Sequence, residues 1–370
     1  MTLAIGDPVA AVDTPALVID LDAMQRNLCA MAGFAREHGV RLRPHAKMHK
    51  SAAIARLQIE AGAVGVCVQK TSEAQALADA GIADIFITNE VIAPGKLAQV
   101  AELAGRIRLA IAVDSALGVE RLAQALRDAG TMLDVFVEVD VGQGRCGVAP
   151  GAAGALAHQV VAHGLRLAGL QAYHGRAQHL RGAAERAAAI AHAVGTARAA
   201  QAAITSAGIA CPLVSGAGTG TFAFEAASRV YGELQAGSYL FMDADYAANE
   251  PTPGAPRFEH ALFVKSQVMS RGSAHAVVDA GHKAHAIDSG LPRIWQRELE
   301  FANGGDEHGI LRLGVRGADA LPELGATVWL VPGHCDPTVN LHERYVGIRG
   351  GLANGIVESL WQVDARGCLT

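Results

Sequence analysis

A basic segment in the amino-terminal half of the chain carries the residues best suited to covalent chemistry. It reads RLRPHAKMHK, residues 41–50, and directly follows a predicted strand. In a parallel barrel, active-site residues lie at the carboxyl ends of the strands. A lysine held there among Arg43, His45 and His49 would have its charged form disfavoured, which would leave a free amine able to attack a carbonyl carbon. A solvated basic loop would have the same composition, so both interpretations stay open.

A second candidate site lies in the segment VPGHCDPTVNLH, residues 331–342. A histidine and an aspartate two positions apart on an extended segment point to the same side, so His334 and Asp336 could bind one ion while Cys335 faces away. One imidazole and one carboxylate suit Mn²⁺, Mg²⁺ or Co²⁺ better than a structural zinc, for which no CxxC motif exists. The alternative is a turn that satisfies its own hydrogen bonds.

Two glycine-rich stretches could bind a phosphate group. They are VSGAGTGT, residues 214–221, and LQAGSY, residues 234–239. Unobstructed backbone N–H groups and nearby hydroxyls suit a phosphate dianion, and barrels often bind phosphate after their last strands. Neither stretch is a Walker sequence, and plain turns have the same composition.

Two more loops at predicted strand ends carry polar side chains. The loop QAYHGRAQH, residues 171–179, contributes Tyr173, His174, Arg176 and His179. The loop DVGQGRCG, residues 140–147, contributes Arg145. Histidines are often structural, and Arg145 could be a salt-bridged arginine at the rim, so a chemical role is one of two interpretations.

The elements that would position these residues follow a βα repeat. From residue 14 to about residue 211, short β-branched or apolar runs alternate with alanine-rich stretches of helical spacing. The strand candidates are residues 17–21, 40–43, 64–68, 85–88, 109–113, 135–139, 165–172 and 212–215. Eight units predict a (β/α)8 TIM-type barrel. An open doubly wound sheet is the alternative, although no GxGxxG motif opens a helix after the first strand.

The pattern changes after residue 249. Three prolines fall within residues 250–256, and strand-like runs without amphipathic helices follow at residues 261–270, 274–278, 326–331 and 345–348. We therefore expect two domains. Residues 14–249 would form the barrel, and residues 250–370 a β-rich carboxyl-terminal domain that carries the metal ligands.

Composition excludes several classes of protein. The chain has 370 residues, 51% of them hydrophobic and 18% charged, with a net charge of −5 and no basic run. Nucleic acid and membrane surfaces are therefore not expected as partners. No signal peptide or membrane span is apparent, and the six cysteines are far apart, which predicts reduced thiols in a cytoplasmic protein.

Segments along nearly the whole chain resemble the D-threonine aldolases, which share the pyridoxal-phosphate (PLP) barrel of alanine racemase and sit beside the 3-hydroxyaspartate aldolases and D-serine dehydratases. The matching segments are DTPALVIDLDAMQRN, LRPHAKMHKS, VGVCVQKTSEA, ITNEV, VEVDVGQGRCGV, LQAYHGRAQH, VSGAGTGTF, ELQAGSYLFMDADY, DEHG and PGHCDPTVNLH. The resemblance implies a fold type III PLP enzyme, a β-domain that also includes residues 1–13, and a homodimer.

The resemblance also implies roles for particular residues. Lys47 would carry PLP, Tyr173 and Arg145 would line the cofactor ring, and His179 would be the base for the substrate hydroxyl. His334 and Asp336 would bind a divalent metal, with Mn²⁺, Mg²⁺ or Co²⁺ favoured over zinc. The phosphate would be held by Ser215, Gly216, Gly218, Thr219, Gly237, Ser238 and Tyr239.

Two residues depart from the family pattern. Ala217 stands where close relatives carry glycine, and it would narrow the space for the phosphate. Arg176 stands where a small residue is expected, and it leaves the size and charge of the substrate open.

The activity that the resemblance implies is retro-aldol cleavage of β-hydroxy-D-amino acids, such as D-threonine to glycine and acetaldehyde. The alternatives are cleavage of D-3-hydroxyaspartate, or metal-dependent dehydration of D-serine or D-3-hydroxyaspartate. Dehydratase relatives carry HxC where this chain has the HxD of His334 and Asp336. A PLP-binding protein of cofactor homeostasis would end near residue 240. Without the resemblance, a metal-dependent barrel hydrolase would be the next hypothesis.

Overall fold

The described chain folds into two sheets, and its first strand belongs to the second of them. β1 (Ala16–Asp20) leads directly into α1 (Leu21–Glu37). The side chain of Asp20 accepts hydrogen bonds from the N–H groups of Asp22 and Ala23, and so caps the helix. The computed structural model describes residues 3–314 and 319–370. Residues 1–2 and 315–318, which fall within the predicted β-rich part of the chain, lie outside the described residues.

Eight parallel strands form a closed barrel. They are β2 (Arg41–Leu42), β3 (Val66–Val68), β4 (Asp84–Ile87), β5 (Arg108–Val113), β6 (Asp134–Glu138), β7 (Arg166–Ala172), β8 (Val214–Gly216) and β9 (Glu233–Leu234). Their order is β2-β9-β8-β7-β6-β5-β4-β3. The N–H groups of Val64 and Cys67 donate to the carbonyls of Leu42 and Pro44, at 2.9 and 2.8 Å, and join the two ends of the sheet. The predicted TIM-type barrel is confirmed, and the open sheet is wrong.

The identity of two barrel strands differs from the prediction. Residues 17–21 do not form the first barrel strand, because β1 pairs within the other sheet. β1 is buried on both faces there, and such a strand has the same apolar pattern as a barrel strand. The barrel instead ends with β9, a strand of two residues that the sequence pattern did not predict.

Helices surround the barrel. Those that follow barrel strands are α2 (Ala52–Glu60), α3 (Thr71–Asp79), α4 (Pro94–Ala104), α5 (Ala116–Ala129), α6 (Ala153–Ala162), α7 (Ala183–Ser206) and α8 (Phe222–Ser228), and the short α9 (Ala244–Ala247) follows β9. α1 packs beside β2 and the 3-10 turn Ser238–Leu240, and takes the eighth outer position. Inside the barrel, Phe86 and Phe136 stack with their ring centroids 4.4 Å apart.

The second sheet consists of β1 and strands from the carboxyl-terminal part of the chain. These strands are β10 (Leu262–Arg271), β11 (Ala276–Val278), β12 (Arg293–Ile294), β13 (Leu299–Asn303), β14 (Gly309–Leu313), β15 (Thr327–Val331), β16 (Arg344–Arg349) and β17 (Ile356–Gln362). Two short helices, α10 (Cys335–Val339) and α11 (Gly351–Asn354), interrupt them. β1 pairs antiparallel with β10 and parallel with β16. The strand-rich second unit is therefore confirmed.

All six cysteines are free thiols. Among the described residues, no helix combines the length and apolar character needed to cross a membrane.

Candidate active site

A cavity of about 530 Å³ lies at the carboxyl ends of the barrel strands. The loops after β2, β3, β6, β7, β8 and β9 line it, and the loop between β15 and α10 of the second sheet closes one side. The lining includes the predicted site residues Lys47, Arg145, Tyr173, His179, Gly218, Thr219, Gly237, Ser238, His334 and Asp336. Residues from two distant parts of the sequence therefore meet in one cavity.

Lys47 faces the cavity next to an acid from the second sheet. Its Nζ lies 3.2 Å from Oδ2 of Asp336, and its side chain is 41% exposed. The charge of Asp336 raises the pKa of Lys47. The expectation that neighbouring cations disfavour the charged form of Lys47 is therefore wrong. The sequence pattern did not predict that Asp336 lies close enough to stabilise the ammonium group.

The two histidines beside Lys47 are neutral supports. Burial lowers the pKa of His49 to about 4 and that of His45 well below its ordinary value. Nε2 of His45 lies 3.1 Å from Oγ1 of Thr88 and 3.0 Å from Nε2 of Gln69. Of the residues from this segment that line the cavity, only Lys47 carries a positive charge.

His334 and Asp336 converge at the start of α10. The segment is not extended through Asp336 as predicted, because the helix begins at Cys335. Nε2 of His334 and Oδ1 of Asp336 are nevertheless 3.8 Å apart. Nδ1 of His334 lies 2.7 Å from Oδ2 of Asp288, which leaves Nε2 on the side of Asp336. Cys335 is fully buried and does not line the cavity.

His179 lies across the cavity in the 3-10 turn Arg176–His179. Its Nδ1 is 2.6 Å from Oδ2 of Asp245, which belongs to α9. Arg181 pairs with the other oxygen of the same carboxylate. The Nε2 side of the imidazole is not engaged by Asp245.

The two glycine-rich stretches form a cradle with little free space. A Cβ atom at Gly218 would lie 2.5 Å from Oε1 of Gln178, and one at Gly237 would lie 2.7 Å from the carbonyl oxygen of His45. The N–H of Tyr239 donates to Oγ1 of Thr219 at 3.0 Å and ties the stretches together. Ala217 has φ +71°, a left-handed conformation that glycine adopts without strain.

Arg145 approaches the cavity beside Tyr173, with its guanidinium carbon 5.7 Å from the ring centroid. Behind it, Nη2 lies 3.8 Å from Oε1 of Glu138. Burial and the neighbouring Glu90 raise the pKa of Glu138 well above its ordinary value, which weakens its claim on the charge of Arg145.

Three of the predicted phosphate-holding residues do not line the cavity. The hydroxyl of Ser215 donates to Oε1 of Glu233 at 2.8 Å inside the barrel. Gly216 lies against the carbonyl of Ala172. The Tyr239 side chain is fully buried, and its phenol accepts a hydrogen bond from Gln58 at 3.3 Å. Ser215 and Gly216 belong to β8 in the barrel wall, and Tyr239 lies in the buried 3-10 turn that follows β9.

Sequence reasoning missed several residues that hold or line the site. Gln69, Gln171 and Gln235 line the cavity, while Asp245 and Asp288 hold the two histidines. Asp245 lies in the segment FMDADY, whose two closely spaced acids were a visible signal. Asp288 lies in an unremarkable loop, 46 positions from its partner His334.

Comparisons with known proteins agree with this geometry. Residues 19–245 match the family described as alanine racemase, N-terminal domain, and residues 261–348 match the putative serine dehydratase domain. The D-threonine aldolase of an Arthrobacter species is 48% identical over 366 residues, which cover 98% of this chain and 95% of that protein. The 3-hydroxy-D-aspartate aldolase of Paracoccus denitrificans is 42% identical, with 98% and 94% of the two chains covered.

A solved structure is also similar along its full length. The crystal structure of D-threonine aldolase from Filomicrobium marinum matches with a TM-score of 0.96 and 49% identity, and each chain is covered completely. The barrel and the second sheet are therefore arranged as in that protein.

Proposed function

Because this chain belongs to the D-threonine aldolase family, whose barrel is that of alanine racemase, we propose that it is a PLP- and divalent-metal-dependent aldehyde lyase. Its reaction is the retro-aldol cleavage of β-hydroxy-D-amino acids, with D-threonine giving glycine and acetaldehyde. One observation carries the proposal: an amine, an imidazole held by a carboxylate, and a histidine–aspartate pair face one cavity.

The residues present fit a phosphorylated pyridine cofactor. Gly218 and Gly237 lie so close to Gln178 and to the carbonyl of His45 that neither position has room for a Cβ atom, and Thr219 and Ser238 add hydroxyls to the same cavity wall. These residues would hold the phosphate. Lys47 would carry the cofactor, and Arg145 with Tyr173 would line its ring. Ser215, Gly216 and Tyr239 do not line the cavity and would support the two glycine-rich stretches that carry these residues.

The residues present also fit a divalent ion. Oδ1 of Asp336 is buried without a hydrogen-bond partner among the described residues, and it faces Nε2 of His334. A buried carboxylate oxygen without a donor is costly unless a cation or proton satisfies it. A donor set of one imidazole and one carboxylate favours Mn²⁺, Mg²⁺ or Co²⁺ over structural zinc. His334 and Asp336 would be its protein ligands.

The bound groups supply an electron sink for the pair released from the Cα–Cβ bond and a positive charge that lowers the pKa of the substrate hydroxyl. The protein's residues do the rest. Arg145 and Tyr173 fix the orientation of the cavity contents, and His179 takes the hydroxyl proton on Nε2. Loss of that proton lets the Cβ–O bond become a carbonyl as the Cα–Cβ bond breaks. The aldehyde leaves, a proton from solvent adds at Cα to give glycine, and His179 returns the proton that it took to solvent.

The experiment that tests this function measures both products. PLP- and Mn²⁺-loaded protein should release glycine and acetaldehyde from D-threonine in equal amounts. His179→Ala should retain PLP and metal but lose about 10²–10⁴-fold in kcat, because a positioned base contributes that much. Release of an oxo acid and ammonia instead would identify the dehydratase that the second domain match suggests. No turnover of any β-hydroxy-D-amino acid would refute the proposal.

A second substrate is favoured by one residue. Arg176 is exposed, lines the cavity, and makes no hydrogen bond or salt bridge to any residue in the described part of the chain. A carboxylate beyond Cβ, as in D-3-hydroxyaspartate, could pair with it. Arg176→Gln should then lower kcat/KM for D-3-hydroxyaspartate and leave that for D-threonine within about threefold. Equal losses for both substrates would exclude this role.

We also propose that the protein is a homodimer and that it lies in the cytoplasm. Sedimentation of the PLP-loaded protein should give twice the mass of the 38.3 kDa chain.

A further inference from the structure

His179 is held on one side by a buried acid and open on the other. Its Nδ1 lies 2.6 Å from Oδ2 of Asp245. The side chain of Asp245 is only 8% exposed, whereas that of His179 is 48% exposed and faces the cavity. The ring of Tyr246 lies beside the imidazole, with the ring centroids 5.5 Å apart. The contacts therefore restrict both the position and the rotation of the imidazole.

Arg181 determines which oxygen of Asp245 meets the histidine. Its Nη2 pairs with Oδ1, and its Nη1 donates to the Asp245 carbonyl at 2.6 Å and to Oδ1 of Asn249 at 2.8 Å. Burial alone would raise the pKa of Asp245, but Arg181 and His179 lower it below its ordinary value. An ionised carboxylate only accepts hydrogen bonds. The proton between the two side chains therefore belongs to Nδ1 of His179.

The element that carries Asp245 is anchored to the loop of the proposed metal ligands. The N–H groups of Ala244 and Asp245 donate to the carbonyls of Pro332 and Gly333 at 2.9 and 3.2 Å. Oδ2 of Asp243 accepts a hydrogen bond from the N–H of Cys335 at 3.1 Å. The same short helix thus fixes the histidine and the segment that contains His334.

We propose that Asp245 is a positioning residue that holds His179 in the tautomer protonated on Nδ1, with the lone pair of Nε2 directed into the cavity. Arg181 supports this role by occupying the other carboxylate oxygen. The inference rests on the proposed function for its catalytic meaning, since His179 then receives the proton of the substrate hydroxyl. The tautomer itself is a property of the protein without substrate.

The first test reads the tautomer without any activity. Protein labelled with ¹⁵N at histidine gives one pair of ring nitrogen signals for each of its 15 histidines, and the His179→Gln variant identifies those of His179. At a pH where the ring is neutral, Nδ1 should show the protonated shift and Nε2 the shift of an unprotonated nitrogen. The opposite assignment overturns the inference.

The second test uses substitutions at Asp245. In Asp245→Asn, Arg181 should hold the amide oxygen, so the amide nitrogen would donate to Nδ1 and force the proton onto Nε2. We expect a loss of about 10²–10⁴-fold in kcat with KM, PLP content and metal content within about threefold of wild type. The loss of kcat should be smaller in Asp245→Ala than in Asp245→Asn, because alanine imposes neither tautomer on His179. A merely structural role would predict the larger loss for alanine.

Asp134→Asn is the matched control. Asp134 also pairs with an arginine, Arg166, and its side chain is 12% exposed, but it lies at the start of β6, at the opposite end of the barrel. The kcat of the Asp134→Asn variant should equal that of wild type.

The outcomes separate this inference from the proposed function. Wild-type protein without aldolase activity refutes the proposed function, while the nitrogen shifts still decide the tautomer. Active wild type with Asp245→Asn within about threefold of its kcat overturns the positioning role alone. If Asp245→Asn does not fold, the nitrogen shifts of the wild type remain decisive.

Discussion

Among the lysines of the described residues, Lys47 and Lys70 line the cavity, and the amine of Lys47 lies 3.2 Å from Asp336 of the histidine–aspartate pair. Lys50 is different, because its buried Nζ pairs with Glu73 at 3.2 Å and donates to the carbonyl of Ala365. Borohydride reduction of the PLP-loaded protein followed by peptide mapping should therefore find the phosphopyridoxyl group on Lys47. Lys47→Ala should bind PLP without a reducible linkage. A label on Lys50 or on Lys70 would contradict the assignment.

The ion pair between Lys47 and Asp336 predicts a competition at the metal site. Asp336 contacts the ammonium group of Lys47, and the proposed cofactor linkage would convert that group to an imine and leave the carboxylate free for a cation. We therefore expect Mn²⁺ to bind more tightly to the PLP-loaded protein than to the protein without PLP. Titration calorimetry of both forms would measure the difference. Equal affinities would mean that Asp336 is not a ligand.

Substitutions at neighbouring positions test the same site. Asp336→Ala should abolish Mn²⁺ binding, whereas Cys335→Ala should keep it and destabilise the fold by about 1–2 kcal/mol, because the thiol is fully buried. Chelation should remove the ion without unfolding the chain, since two protein ligands contribute much less than the four of a structural zinc site. Loss of metal in Cys335→Ala with retention in Asp336→Ala would assign the softer, dehydratase-like site.

Helix α8 carries a buried acid that makes stability depend on pH. Glu225 accepts a hydrogen bond from Thr221 at 2.8 Å, but its Oε2 is buried without a partner among the described residues. Burial raises its pKa to about 7. A raised carboxyl pKa contributes stability below the unfolded value of about 4.5, and this contribution is lost as pH rises to about 7.

Glu225→Gln should remove that pH dependence. Its free energy of unfolding should match wild type near pH 4.5 and exceed it by up to about 3 kcal/mol at pH 8. Urea titrations at several pH values would measure the difference. Glu120→Gln, at an exposed position of α5, is the control and should show no such trend. A constant difference at all pH values would mean that Glu225 stays ionised in the fold.

The sequence pattern predicted the barrel but misassigned its first strand and missed its last strand. The runs that became β3 to β7 are apolar, several residues long, and each followed by a helix. β9 has two residues and a glycine-rich continuation, so no periodicity distinguishes it from a loop. β1 has the pattern of a barrel strand, and only its pairing with β10 and β16 assigns it to the other sheet. The local pattern of apolar residues does not show which strands pair when they are more than 200 positions apart in the sequence.

The site was predictable where one segment supplies several groups and not where distant segments meet. The pair His334 and Asp336 lies in one tripeptide, and Lys47 in one basic segment. The contacts of Asp245 with His179 and of Asp336 with Lys47 join residues 66 and 289 positions apart, and only the fold brings them together. The expectation for the pKa of Lys47 is wrong for the same reason, since its main neighbour, Asp336, comes from the helix that follows β15.

At the scale of the whole molecule, the first strand and the first helix of the chain connect the barrel with the second sheet. β1 pairs with β10 and β16, while α1, which follows it without a linker, packs on the barrel. The side chain of Asn27 in α1 donates to the carbonyls of Leu240 and Glu259, at 3.0 and 2.7 Å, on either side of the predicted boundary at residue 249. Division of the chain at that boundary stays a prediction.

This connection predicts one cooperative unfolding transition. Neither sheet can lose its structure without exposing apolar surface of the other, because α1 and the β15–α10 loop contact both parts. We would follow urea unfolding by far-UV circular dichroism, by fluorescence of the three tryptophans and by PLP absorbance from the barrel. Trp295, Trp329 and Trp361 all lie in or beside the second sheet, and the three curves should coincide. The fluorescence change preceding the loss of PLP absorbance would show that the second sheet unfolds independently. In that case Asp336 and His334 would leave the cavity while the barrel, with Lys47 and its cofactor, remained folded.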